Sequence, residues 1–326
     1  MRHGMNLQKL RIGDKKKTLL VLISFLAVYL IWGSTFMAIK VVVETAPAFI
    51  SMGIRFVLAA ILLALFLPFS KGIKYHRREI FNSSFLGILY FTGCMGFVAW
   101  AEKYIPSGIA SVLTSLIPLW FLVFEVVLYR NRQPRMIAWL GILSGIIGVI
   151  ILVGLNNIKQ MNQVSLLPFL AVIVSSMLWS FTAILSTKIK KPKNRKLDLS
   201  IQMMAGGLIN IIVGLFTKEL NDFSMEVFNI KTVSALLYLS TFGSILTLLA
   251  FNYLLDNVKP SLVSTYSYVN PIIALFLGWL ILNEELNIRI IFASALIILG
   301  IVFIKLGEKK PKKIKMNSER QTIKAA

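Results

Sequence analysis

Residues 106–120 read PSGIASVLTSLIPLW, and residues 259–274 read KPSLVSTYSYVNPIIA. Each stretch opens at a proline, carries serines at helical spacing and reaches a second proline, Pro118 or Pro271. A second pair behaves alike: IWGSTFMAIK at 31–40 and LWSFTAILSTK at 178–188. In both halves the proline stretch follows the tryptophan stretch by roughly 75–80 residues, so the chain reads as one pattern written twice. Apolar segments are expected at 18–39, 47–68, 80–100, 107–129 and 136–155, then at 165–187, 198–216, 232–254, 262–282 and 288–306. That is five per copy, and an odd number of crossings leaves the second copy inverted in a membrane.

Composition supports a membrane reading. Of 326 residues, 57% are hydrophobic and the mean hydropathy is +0.77, against about 45–50% apolar in soluble domains. The apolar residues fall in blocks of about twenty, the length a helix needs to cross roughly 30 Å of hydrocarbon. The fold class predicted is all-α and integral to the membrane, with ten transmembrane helices in two inverted five-helix repeats. The repeats fall at 18–155 and 165–306, between a basic N-terminus at 1–17 and a basic tail at 307–326.

The net charge of +21 would suggest nucleic acid in a soluble protein, but no nucleic-acid-binding motif is present. The basic residues lie between the apolar blocks instead. Counting alternate connectors puts 28 of the 35 Lys and Arg on the side of the termini and six on the other, with Arg55 inside a helix. By the positive-inside rule both termini are then cytoplasmic. RNRQPR at 130–135 follows the fourth segment, while acidic NEEL at 283–286 follows the ninth, as inversion requires. One cysteine (Cys94) and two histidines outside the apolar blocks give no basis for a disulfide framework, a metal site or His/Cys catalysis. No GxxxxGK[ST] loop is present, so ATP drive by this chain is not expected.

With these motifs in view, the sequence resembles the EamA-like branch of the drug/metabolite transporter superfamily. The resemblance rests on WGSTF at 32–36, Arg55, AEKYIPSGIASVL at 101–113 with Pro118–Leu119, and SYVNPIIALFLGWLILNEEL at 267–286. It implies ten helices, a bacterial inner (plasma) membrane location, and export or exchange of small metabolites, often amino acids or related compounds. It names no single solute, and no cofactor is implied.

Polar groups within the bilayer are costly and each needs a reason. Arg55 has three readings: an interior pair with a carboxylate such as Glu44, contact with an anionic solute, or snorkelling to headgroups. The serine stripes, with Ser111 and Ser115 in the first copy and Ser264 in the second, serve either a pathway or close helix packing. Tyr266, Tyr268 and Asn270 are large and polar enough to favour a cavity. Trp32 and Trp179 match between copies, with Thr35 and Thr182 one turn on, and are read as cavity walls or as core. Glu102, Glu125 and Asp256 are candidates for proton coupling, against simple interfacial anchoring. Pro118 and Pro271 are candidates for helix kinks. Gly141, Gly145 and Gly148 form a small-residue face for helix contact within one chain or in a homodimer. The function expected is a secondary transporter of a small solute by alternating access. The runner-up is a channel or lipid-moving protein, and an enzyme lacks any cluster of reactive groups.

Overall fold

In the computed structural model the described residues are 12–67, 76–128, 135–153, 163–222, 225–258 and 260–307. The basic tail and most of the basic connectors fall outside them. The described residues form helices and turns, ordered as follows. α1 runs Ile12–Leu26, passes through a π-helical stretch Ala27–Ile31 and continues as Trp32–Val43. α2 is Ala48–Ala64. α3 joins Arg77–Gly87, a π stretch Ile88–Gly96 and Phe97–Glu102. α4 is broken into Ser107–Thr114 and Ile117–Leu128, and α5 is Met136–Val153. α6 is Gln163–Ser186 and α7 Arg195–Phe216. Two 3₁₀ turns, Glu219–Asp222 and Met225–Phe228, precede α8, which joins Ile230–Tyr238, a π stretch Leu239–Leu246 and Thr247–Asn257. α9 joins Pro260–Val263 to Tyr266–Leu282, and α10 is Ile288–Gly307. Eight of these are long and apolar enough to cross a membrane, and two apolar helices, Ala48–Ala64 and Tyr266–Leu282, are shorter. At 17 residues each, these two extend about 25 Å.

Two interfaces organise the bundle: α5 against α10, and α2 against α7. Both are antiparallel and both are glycine-lined. In the first, Gly307 meets Ala138, Gly141 meets Gly300 and Ile304, and Gly148 meets Ala293 and Ile297. A Cβ on Gly141 would stand 2.5 Å from the Gly300 carbonyl oxygen, so no side chain fits between the backbones. The glycine face of the fifth helix is therefore occupied within the chain. In the second, Gly214 meets Ile50, while Gly53 and Gly207 abut each other and Ile211 and Val57. Without a hydrophobic driving force between helices in lipid, such close approach is what binds them. Helices at equivalent places in the two halves thus run in opposite directions.

The sequence reading treats the fourth and ninth segments as continuous, but the chain breaks both. α4 stops at Thr114 and restarts at Ile117, so that Pro118 sits in the first turn of its second half, where a missing N–H is harmless. In α9 the break lies at 264–265 and Pro271 stands inside the longer helix. The π stretches in α3 and α8 leave no mark on hydrophobic periodicity. Their loosened carbonyls find side-chain donors: Asn210 Nδ2 donates to Phe91 O at 2.9 Å, Ser175 Oγ to Cys94 O at 3.1 Å, and Ser244 Oγ to Leu239 O at 2.9 Å.

Candidate functional site

Between the two glycine seams lies a cavity with an empty volume of about 910 Å3 counted to its open mouth. It draws walls from α1, α2, α3 and α4 of the first half and α6, α8 and α9 of the second. Its walls are mixed. Phe36, Ile39, Phe56, Phe91, Met95, Val98 and Leu248 are apolar, and hydroxyls come from Thr35, Ser111, Thr114, Ser115, Ser175, Ser176, Ser244 and Ser267. Several hydroxyls are turned to their own helix, as Thr35 Oγ1 donates to Trp32 O at 2.6 Å and Ser115 Oγ to Val112 O at 2.6 Å.

An aromatic cluster forms one part of the wall. Trp32 stands edge-on to Trp179, with ring centroids 6.5 Å apart, and to Tyr266 at 5.2 Å. Phe251 lies 5.1 Å from Trp32, and Tyr90 lies 4.8 Å from Trp179. Trp32 and Trp179, equivalent in the two copies, therefore meet. Edge-to-face packing of this kind fixes ring orientation. Asn270 completes this side; its amide is assigned the orientation in which the nitrogen donates to the Tyr29 and Tyr266 carbonyls at 3.2 and 3.3 Å, because the opposite one faces acceptor with acceptor.

Arg55 forms another part. Only 3% of it is exposed. Its Nε donates to Ser244 Oγ at 3.1 Å, Nη1 lies 3.6 Å from Met52 Sδ, and the guanidinium sits 4.7 Å above the Phe56 ring. Gly243, in the π stretch of α8, makes room for it: a Cβ there would lie 3.4 Å from Nη2 and 3.0 Å from Thr35 Cγ2.

The end of the cavity reached by Val43, Ala48, Glu102 and Ser107, here called the far face, is closed. Residues 48–53 and 107–113 are buried without a gap. α2 and α4 both start after a proline, Pro47 and Pro106. Both leave N–H groups that the helix cannot satisfy. A carboxylate from the opposite half takes them in each case. Glu284 accepts from Ser107 N (2.6 Å) and Gly108 N (3.1 Å), and Glu219 accepts from Phe49 N (3.2 Å) and Ile50 N (3.1 Å). Charge at a helix N-terminus is also favoured by the macrodipole. Glu102, at the same face, is fully buried; Lys40 Nζ donates to its main-chain oxygen at 2.7 Å, and its two carboxyl oxygens have no hydrogen-bond partner among the described residues.

The sequence profile of the EamA-like transporter family matches residues 19–154 and again 166–306. The chain belongs to the EamA-like transporter family. Its relatives agree with that assignment. The uncharacterized inner membrane transporter YedA of Escherichia coli K12 is 31% identical over 286 residues, covering 86% of this chain and 89% of that protein. The uncharacterized transporter YoaV of Bacillus subtilis 168 is 25% identical, covering 86% and 95%. A solved crystal structure aligns at a TM-score of 0.61 and 16% identity over 91% of this chain and 99% of that one, a likeness of fold. The protein is thus a multi-pass membrane transporter of the bacterial inner-membrane type, and its family and relatives point away from an enzyme.

In this EamA-like transporter the sequence-predicted residues divide. Trp32, Thr35, Arg55, Ser111, Ser115, Trp179, Tyr266, Asn270 and Pro271 line the cavity. Six candidates sit elsewhere, Glu102 at the far face and Pro118 in the first turn of the second half of α4 among them. Thr182 is buried and donates to Leu178 O at 2.7 Å. Ser264 accepts from Lys305 Nζ at 2.8 Å, near the opposite face. Tyr268 packs on the apolar core around α4, α5 and α10. Asp256 forms a half-exposed ion pair with Arg195 at 2.7 Å. The Glu125 side chain lies outside the described residues, and Glu44 is exposed. Ser175, Ser176, Ser244, Ser267 and Thr114, which the sequence reading passed over, line the cavity too. The matched copies carried a usable signal for two of them, since Ser175 and Ser176 lie one turn before Trp179.

Proposed function

We propose that this protein is a secondary active transporter that moves a small metabolite, such as an amino acid or related compound, by alternating access at the central cavity. In this reading ten spans form two inverted five-helix repeats, both termini are cytoplasmic, and the far face is the outer one. The observation that carries it is the cavity itself. It is walled by both halves, mixed in polarity, and closed at one end by bonds that cross between the halves. Such bonds can break and re-form as the halves rock, which a permanently open pore would not need. The glycine seams stay fixed and serve as the axis of that motion. Antiparallel pairing of equivalent helices supports the inverted arrangement. For coupling, Glu102 is our choice over Asp256, because Asp256 already has Arg195 as its partner.

The test is untargeted metabolite profiling of medium from overexpressing and deletion cells, followed by uptake of the candidate solute in proteoliposomes with and without a proton gradient. Saturable flux with counterflow supports the carrier. Flux that rises linearly with solute and shows no counterflow points to a channel, and no solute-dependent flux at all removes the proposal.

A further inference from the structure

Resting on the carrier reading, we propose that the solute carries an anionic group, a carboxylate or similar oxyanion, which the Arg55 guanidinium receives while an apolar or aromatic body lies against Trp32, Trp179 and Tyr266. The reasons are geometric. Among the described residues, Arg55 is the charged side chain of the cavity wall and no Asp or Glu lines it. A guanidinium has five N–H donors in a planar fork. Here one donates to a protein oxygen, Ser244 Oγ, and one points to a thioether sulfur. Among the described residues no carboxylate lies within 4 Å of it. Glu102 acts on it electrostatically but accepts no hydrogen bond. A buried cation with so few partners is costly. A bidentate oxyanion repays that cost, and a solute amine or quaternary ammonium adds to it.

The depth of each group orders the solute. Along the helix axes, at 1.5 Å per residue, Arg55 lies about 10 Å from Ala48 at the far face and Trp32 about 16 Å from Val43, and Trp179 and Tyr266 pack against Trp32. The anionic end therefore points to the far face and the apolar end away from it. The Ser111 hydroxyl, which has no hydrogen-bond partner among the described residues, lies along the wall to bind a polar substituent. A Cβ at Gly243 would stand 3.0 Å from Thr35 Cγ2 and touch the guanidinium at 3.4 Å, so a side chain larger than alanine crowds the fork.

The experiment uses the full chain, purified in detergent and in proteoliposomes. Its probe is a panel of phenyl- and alkyl-carboxylates, each matched with its neutral amide and its amine. Binding is read by calorimetry and by competition with the solute found through profiling. Carboxylates are expected to bind at least about 10-fold more tightly than their amides and amines. Arg55→Gln removes that preference, losing roughly 10–100-fold for the acids. Arg55→Lys, a point charge without the fork, retains part of it. Ser244→Asp places a competing carboxylate on the fork and weakens the acids by about 10-fold or more while the protein still melts as a folded bundle. The inference fails if amides or amines bind as well as acids, if Arg55→Gln leaves acid binding unchanged, or if no acid of the panel binds or competes. Saturable counterflow of a neutral or cationic metabolite in the same vesicles would leave the carrier standing and remove only the anion site.

Discussion

The two glycine seams and the cavity between them are built from the same kind of helix, yet they behave as opposites. Along α5/α10 and α2/α7 the backbones touch, and added side-chain volume has nowhere to go. Around the cavity, α1, α3, α4, α8 and α9 are broken or loosened by π stretches, and together with the unbroken α6 and α2 they enclose open space. π stretches inside α-helices concentrate at functional sites. The contrast teaches where this bundle stores rigidity and where it permits motion. The dry seams hold the halves together, and the cavity seam is free to exchange its partners.

The largest effect is expected at the seams. Gly141→Leu or Gly207→Leu drives a side chain into facing backbone and should destabilise by about 3 kcal/mol, seen as a large fall in melting temperature in detergent. If both variants melt like the parent, the seams are not the rigid element. Next comes the cavity. Trp32→Ala and Trp179→Ala should each cut transport by 10-fold or more, about 1.4 kcal/mol, with smaller loss of thermal stability than the glycine variants. Equal uptake by parent and variants would separate the aromatic wall from solute binding.

The far-face clamp sits between seam and cavity. Glu284→Ala removes the cap on Ser107 and Gly108, a change of about 0.5–2 kcal/mol. We expect faster labelling of a cysteine placed at Ser111, in a Cys94→Ala background, by a membrane-impermeant maleimide added to the far side. Unchanged labelling would mean that the clamp does not hold that face shut. The smallest effect is expected for Tyr268→Ala, which trims a residue packed on the core outside the cavity wall. Some stability should be lost while flux per folded molecule is kept, and a transport-dead but stable variant would place Tyr268 back in the pathway.

Much of this was legible in the chain. Hydropathy blocks located the helices, because the cost of leaving a backbone polar group bare in hydrocarbon leaves few alternatives. The matched stretches at 31–40 and 178–188 announced a repeat, and Trp32 and Trp179 do meet in space. Arg55 stood out because a lone charge in an apolar run is expensive. The breaks at Thr114 and Ser264, the π stretches of α3 and α8, and the clamps by Glu219 and Glu284 were not legible. A one-dimensional pattern records which residues are apolar, but not which carbonyl a distant asparagine will reach, or that a carboxylate 170 residues away from Phe49 will cap its helix. Tyr268 and Tyr266 are two residues apart and equally polar, yet one packs on the core and the other lines the cavity. That choice belongs to the tertiary structure: successive side chains on a helix point about 100° apart, and only the packed neighbours determine which direction is the cavity.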